Sequence, residues 1–409
     1  MKRLFAILTA AVLAIMCTSA PKTVPQALRG TWSGEIDKIG LALTLHLSDT
    51  CTLDSPDQEA FGLEGVIKEI GEDFVKVKIP EVHGTVNAKL RGDSLIGTFS
   101  QMGLKLGLKM GRGELVRNRP QTPEPPFPYD TEEVTFPNGS VTLAGTLNLP
   151  EAPKDQPVVI MVSGSGMQDR DETMMGHKPF AVLADAFAKA GIASLRYDDR
   201  ACGGSTGVFE DATTADFATD AAAAVKYLRD RGFTKVGLIG HSEGGTIAFM
   251  LAGAETPDAG TPDFIISMAG MADRGDSTLL RQSIRALVVQ GAPEKVAEFA
   301  AKATVKQTLK KKSTWMDYFA SLDPAPYISR IKCPVLALNG DKDIQVIPEY
   351  NLRKVEALCP SADCRLLPGL NHLFQHCDTG ATTEYARIEE TISEEAVAEM
   401  VDWVKALAE

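Results

Sequence analysis

Five residues, Gly240-His241-Ser242-Glu243-Gly244, restrict what this 409-residue chain can build more than any other stretch. They separate Val236-Gly237-Leu238-Ile239, an apolar run that reads as a buried strand, from Thr246–Ala252, which opens a helical period. A glycine two places before and two places after a serine, between strand and helix, asks for a very tight turn. The serine then takes strained backbone angles and its hydroxyl stands at the top of a sheet. A Cβ at either glycine would collide with the neighbouring strand or helix, and Gly245 lets the helix start close to the sheet. The chain carries its own control. Gly203-Gly204-Ser205-Thr206-Gly207 has the same pattern after a strand-like Ile192–Tyr197, but Val208–Thr213 follows and no helical period begins until about Ala215. A strand-to-helix elbow cannot form there, so Ser205 is expected in a loop.

Met1-Lys2-Arg3, the apolar run Leu4–Met16 and the small residues Thr18-Ser19-Ala20 predict a secretory signal peptide over 1–20. The run is too short to span a bilayer. Cys17 raises lipidation as an alternative, but the bulky Met16 before it argues for simple cleavage near Ser19 or Ala20. The formal net charge is −12 and becomes more acidic once Lys2 and Arg3 are removed. With no basic run longer than Lys310-Lys311-Lys312, which reads as a solvated helix face, nucleic acid is not an expected partner. Six of the seven cysteines remain after processing, and export would allow them to oxidise. Cys359 and Cys364, flanking a short Pro-Ser-Ala-Asp loop, are the expected pair; ordinary buried thiols are the alternative. No CxxC spacing or histidine pair accompanies them, so a structural metal is not expected; the nucleophilic chemistry read below calls for no metal or organic cofactor either.

Residues 21–118 have a β texture. Leu41–Leu47, Phe74–Ile79 and Leu104–Lys109 alternate at period two between glycines, predicting a small barrel or sandwich. His46 and His83 stand alone on strands and read as structural. Residues 119–130, with Pro120, Pro123, Pro125, Pro126 and Pro128, read as a stiff extended linker. From 131 to 409 strands and helices alternate, the sign of an α/β domain with a mostly parallel sheet. It opens with a hairpin around Asn138-Gly139. The rhythm stops at about 270–330, where helical stretches predict a cap above the carboxyl ends of the strands, where ligands bind in such sheets.

A serine hydroxyl needs a base to become a nucleophile, and an imidazole suits the task. Downstream of Ser242 the histidines are His372 and His376; His372 directly follows the strand and turn Leu366–Asn371 and is favoured. His241 points away from the reacting centre and reads as packing. The orienting carboxylate should follow the strand Pro334–Asn339, where Asp343 is favoured and Asp341 is read as a turn residue. An oxyanion needs two amides. Glu243 supplies one, and the Ser163-Gly164-Ser165-Gly166 turn the other, through Ser165 with Gly166 as alternative.

These pieces resemble an α/β-hydrolase. Ser163–Gly166 with Asp169-Arg170-Asp171, then Tyr197–Arg200, His241–Gly245, Asn339–Val346 and Leu370–Gln375, in that order, resemble bacterial esterases related to the serine aminopeptidases. Met167 stands where that family commonly has Pro, and Ala201-Cys202 where it has Gly-Val; Cys202 is expected near the site mouth. Gly30–Gly34 and Thr52–Gln58 resemble a β-rich accessory domain found ahead of secreted hydrolases. The resemblance implies a secreted serine hydrolase acting on a small-molecule carboxylic ester through an acyl-enzyme, with Ser242, Asp343 and His372 as the triad. Two alternatives remain: a serine aminopeptidase, with Asp273, Asp276, Glu294 or Asp317 holding a substrate amine, and an inactive binding protein on the same fold. Acyl preference and oligomeric state are not legible.

Overall fold

A computed structural model describes residues 23–408 except 38, 59, 102, 152–155 and 312. The predicted leader, with Cys17, lies outside the described residues. The chain divides into two compact units, with the break between Leu115 and Val116.

The first unit is a closed antiparallel barrel of β1 (Gly30–Ile36), β2 (Ala42–Leu47), β3 (Cys51–Ser55), β4 (Ala60–Ile70), β5 (Phe74–Ile79), β6 (Gly84–Arg91), β7 (Ser94–Gln101) and β8 (Leu104–Arg112). Every strand pairs with its sequence neighbour, and β8 closes on β1 with Gly34 opposite Met110. Closure rather than a sandwich removes both sheet edges. Alternate side chains, among them Trp32, Leu45, Val77, Leu95 and Met110, fill the interior. The Trp32 indole N–H donates to the Leu28 carbonyl at 2.8 Å, so a buried donor is satisfied. His46 bonds Asp54 at 2.8 Å and Thr31 at 3.2 Å.

The second unit is built on an eight-stranded sheet, among the described residues, in the order β16-β15-β14-β13-β11-β12-β10-β9. The chain runs β9 (Asp130–Asn138), β10 (Val141–Leu149), β11 (Val158–Val162), α1 (Pro179–Lys189), β12 (Ala193–Tyr197), α2 (Thr214–Asp230), β13 (Val236–His241), α3 (Glu243–Ala252) and β14 (Phe264–Met268). Four helices follow among the described residues, α4 (Gly275–Val289), α5 (Glu294–Thr308), α6 (Thr314–Ser321) and α7 (Ala325–Ile328), of which α4 and α6 supply the cap wall of the cavity described below. Then come β15 (Val335–Gly340), α8 (Leu352–Leu358), β16 (Asp363–Leu367), α9 (Thr382–Tyr385) and α10 (Glu394–Ala406). The strands from β11 to β16 run parallel, and the β9–β10 hairpin turns at Gly139 with φ +59°. This is the α/β-hydrolase fold. On β11, Val158, Ile160 and Val162 join the core beneath α2 and α3, while Val159 and Met161 join the core beneath α1 and α10. Burial on both faces explains why the central strands read as continuous apolar runs.

Local signals set the element ends. α2 starts where the Thr213 amide and hydroxyl both donate to the Asp216 carboxylate, at 2.9 and 2.7 Å. The proline-rich segment 119–130 is tied into the second unit: the Gln121 side-chain oxygen Oε1 accepts from the Thr391 amide at 2.6 Å, and Tyr129 donates to Asp185 at 2.9 Å. No helix among the described residues is long and apolar enough to cross a membrane.

The expected Cys359–Cys364 bridge does not form, and all six described cysteines are free thiols. Cys359 is turned into the core and meets the Ser361 hydroxyl at 3.5 Å, while Cys364 lies partly buried against the same cluster. Both side chains therefore serve as small apolar fillers.

Candidate active site

Ser242 sits between β13 and α3 at φ +53°, ψ −115°, a conformation a non-glycine residue adopts at a cost of about 1–3 kcal/mol. Its neighbours impose it. A Cβ on Gly240 would lie 2.0 Å from the Gly244 carbonyl oxygen, and one on Gly244 would lie 2.0 Å from that of Val162. The Ser242 amide donates to Met268 on β14 at 2.8 Å, pinning the turn to the sheet. Ser205 behaves differently. It lies in a loop, with its hydroxyl donating to the Asp198 carbonyl at 2.7 Å and accepting from the Ala144 amide at 2.9 Å. That serine ties a loop to the hairpin.

His372 follows β16 in a turn held by the Asn371 side-chain oxygen Oδ1, which accepts from the amides of Leu373 and Gln375. Its ring is buried, and Nδ1 donates to Oδ2 of Asp343 at 2.7 Å. Asp343 follows β15. Its Oδ1 accepts from the amides of Gln345 and Val346 at 2.8 and 2.9 Å, and Asn339 donates to Oδ2 at 3.0 Å. The alternatives lie elsewhere: Asp341 accepts from the Gly369 amide at 2.7 Å, and His376 is half exposed against Glu390.

Ser242 and His372 line one cavity of about 300 Å³. No hydrogen bond joins their reacting atoms in this arrangement; apo sites often hold such contacts loosely. Ser165, Glu243, Met174, Met271 and Val346 also line it, and the cap supplies Leu279, Trp315 and Phe319. Cys202 does not line this cavity; its loop is held to Asp198, whose carboxylate accepts from the Gly204 amide at 2.9 Å and whose carbonyl accepts from the Ser205 hydroxyl at 2.7 Å. Of the proposed amine-holding acids, none lines the cavity: Asp273 bonds Arg281 and Lys354, and Asp276 pairs with Arg274.

The Ser163–Gly166 loop is shaped from below. Gly164 gives its amide to Glu172 Oε1 at 2.7 Å, while among the described residues no protein acceptor takes the amides of Ser165 or Glu243. Asp199 accepts from the Ser163 hydroxyl at 2.9 Å and the Gln168 amide at 3.0 Å, and burial pushes its pKa up to about 8. Arg170 grips Asp198 through Nε at 3.1 Å and Nη2 at 2.7 Å, and Arg200 grips Asp220 at 2.8 and 2.9 Å. Asp198 and Asp199 thus brace the loop, and Arg200 ties the same segment to α2 through Asp220.

Two side chains have larger roles than sequence reasoning assigned. The Glu243 carboxyl, besides its adjacent amide, is buried beneath the cap, accepting from the Thr214 hydroxyl at 2.6 Å and the Trp315 indole at 3.0 Å; burial raises its pKa. His241 is not simple packing. Nδ1 meets Glu172 Oε1 at 2.9 Å, and Nε2 meets the His372 carbonyl at 3.0 Å. Glu172 was missed; its only sequence signal is an acid inside the Asp169–Thr173 polar turn.

The sequence profile of the alpha/beta hydrolase family matches residues 159–383. Esterase EstD of Thermotoga maritima is 26% identical over 264 residues, and the chain spans 61% of the length of that curated relative and 61% of its own. Among solved structures, the Pyrococcus furiosus esterase Pf2001 aligns with 68% of this chain and 93% of its own at 19% identity and a TM-score of 0.46. Est1E of Butyrivibrio proteoclasticus, solved with ferulic acid bound, aligns with 67% of this chain and 99% of its own at 18% identity and a TM-score of 0.44.

Proposed function

The chain belongs to the alpha/beta hydrolase family, and on that premise we propose that it is an exported serine esterase that cleaves small carboxylic esters through an acyl-enzyme. The observation that carries this reading is the strained Ser242 opening on the same cavity as the His372–Asp343 pair. Asp343 holds Nδ1–H of His372, which leaves Nε2 as the base. Ser242 Oγ attacks the ester carbonyl carbon as Nε2 takes its proton. The negative oxygen of the tetrahedral intermediate receives the amides of Ser165 and Glu243. Collapse expels the alcohol, which takes the proton from His372. Water, activated by the same imidazole, then attacks the acyl carbonyl and releases the acid and Ser242.

The cavity walls favour a short, uncharged acyl group. Met174, Met271, Leu279, Phe319 and Val346 are apolar, and the two carboxylates that line it, Glu172 and Glu243, are engaged by protein donors. An aminopeptidase would need a carboxylate available to a substrate ammonium group. The EstD similarity supports the ester reading, and the basic, apolar and small residues of 1–20 support export. The test compares p-nitrophenyl butyrate with leucine p-nitroanilide on the purified protein and on Ser242→Ala. Ester cleavage that exceeds anilide cleavage and disappears in the variant is expected; preferential anilide cleavage, or a fully active variant, would overturn the reading.

A further inference from the structure

Resting on the reading of His372 as the base, we propose that Glu172 and His241 form a buried carboxylate–imidazolium pair that positions that base and the oxyanion loop as one unit. The His372 carbonyl oxygen can only accept, so His241 Nε2, 3.0 Å away, carries a proton. Glu172 Oε1 already accepts from the Gly164 amide at 2.7 Å and also meets His241 Nδ1 at 2.9 Å. An ionised carboxylate there requires a proton on Nδ1 as well, which makes the ring a cation. Glu172 and His241 are both almost fully buried, at 2% and 4% exposure, so the pair is sheltered from solvent screening.

Among the described residues the charges acting on His241 come from Glu172 and Asp343, and the titratable ring of His372 lies beside it. Burial opposes a charge on the ring, but the attraction of Glu172 outweighs it and raises the His241 pKa. The backbone is strained to build this contact. Glu172 lies at φ +51°, held by the Asp169 turn: its amide donates to the Asp169 carbonyl at 2.9 Å, and the Asp169 carboxylate accepts from the amides of Asp171 and Thr173. A strained residue that aims a buried acid marks a constraint beyond chain packing.

The pair links three parts of the site. Glu172 fixes Gly164, one residue before the proposed oxyanion amide at Ser165. His241 directly precedes Ser242. Its ring centroid lies 4.8 Å from that of His372, whose main chain it also holds. Glutamine cannot replace Glu172. An oxygen at the Oε1 position serves Gly164 but leaves the imidazolium without a counter-charge, and a nitrogen there points a donor at the Gly164 amide.

The test uses the full chain with ¹⁵N-labelled histidine, together with steady-state kinetics of Glu172→Gln. The wild type is expected to show both His241 nitrogens at imidazolium shifts at neutral pH; a neutral-ring pattern overturns the proposal. Glu172→Gln is expected to lose kcat on the order of 100-fold, as when a reacting group is misplaced by about an ångström, with KM changed less than roughly threefold. Retained kcat, or a loss expressed wholly in KM, overturns the positioning role. Should the variant fail to fold, the wild-type nitrogen shifts still decide. Those shifts are read without substrate, so failure of the pair and failure of the esterase reading are separable.

Discussion

Nδ1 of His372 lies 2.7 Å from Oδ2 of Asp343, a carboxylate whose other oxygen is already held by two backbone amides. That carboxylate cannot rotate without breaking both amide contacts, so it fixes the ring's tautomer as well as its orientation. Asp343→Asn should preserve the packing but present an amide that stabilises the wrong tautomer. The expected loss in kcat for ester hydrolysis is about 10⁴-fold, with a stability cost of about 1–3 kcal/mol because the Asn339 amide then faces a donor in place of an acceptor. An asparagine variant of near-normal turnover would remove Asp343 from the mechanism.

The cap is tethered to the elbow through one indole. Trp315 on α6 donates to Glu243, the residue after Ser242, and stacks on Phe319 with ring centroids 5.0 Å apart. Trp315→Phe keeps the stacking and removes the donor from a buried acid. It should cost about 1–3 kcal/mol in stability, the penalty for an under-satisfied buried polar group, and raise KM for p-nitrophenyl butyrate as the cap loosens. Thermal melts and KM check the two effects; no change in either contradicts the tether.

Asp199 should make the fold sensitive to alkali. Burial raises its pKa to about 8, above the value near 4 of an unfolded aspartate. The folded chain therefore binds more protons between those values. The stability contributed by the neutral acid is complete below about pH 4 and is lost as pH rises through about 8. Asp199→Asn can still accept from the Gln168 amide and can donate to the Ser163 hydroxyl, without ionising. Relative to the variant, the wild type should lose stability steadily from pH 5 to pH 9 in thermal melts. A difference independent of pH would contradict the buried, titrating acid.

What the sequence made legible follows from how local each constraint is. The elbow could be read because its pattern is local: Gly240, Ser242 and Gly244 fall within five residues between a strand and a helix, although the contact that excludes a Cβ at Gly244 comes from Val162 on the adjacent strand. Ser205 could be set aside because no helix follows it. His372 and Asp343 were accessible through chain order and the strands they follow. Glu172 and His241 were not, because their partners are 69 and 131 residues away in sequence. The barrel was legible only as alternation: period two marks a half-buried strand but does not say whether the sheet closes. The Cys359–Cys364 expectation failed because spacing alone ignores where the side chains point, and the core around α8 takes the Cys359 thiol.

The most direct test of the central claim is the site of covalent capture by a fluorophosphonate, read by mass spectrometry of the labelled, digested protein. The account predicts one adduct, on Ser242, whose formation abolishes ester hydrolysis, with no labelling of Ser242→Ala. An adduct on Ser205 or any other residue that tracks the loss of activity, or full activity without any adduct, would contradict it.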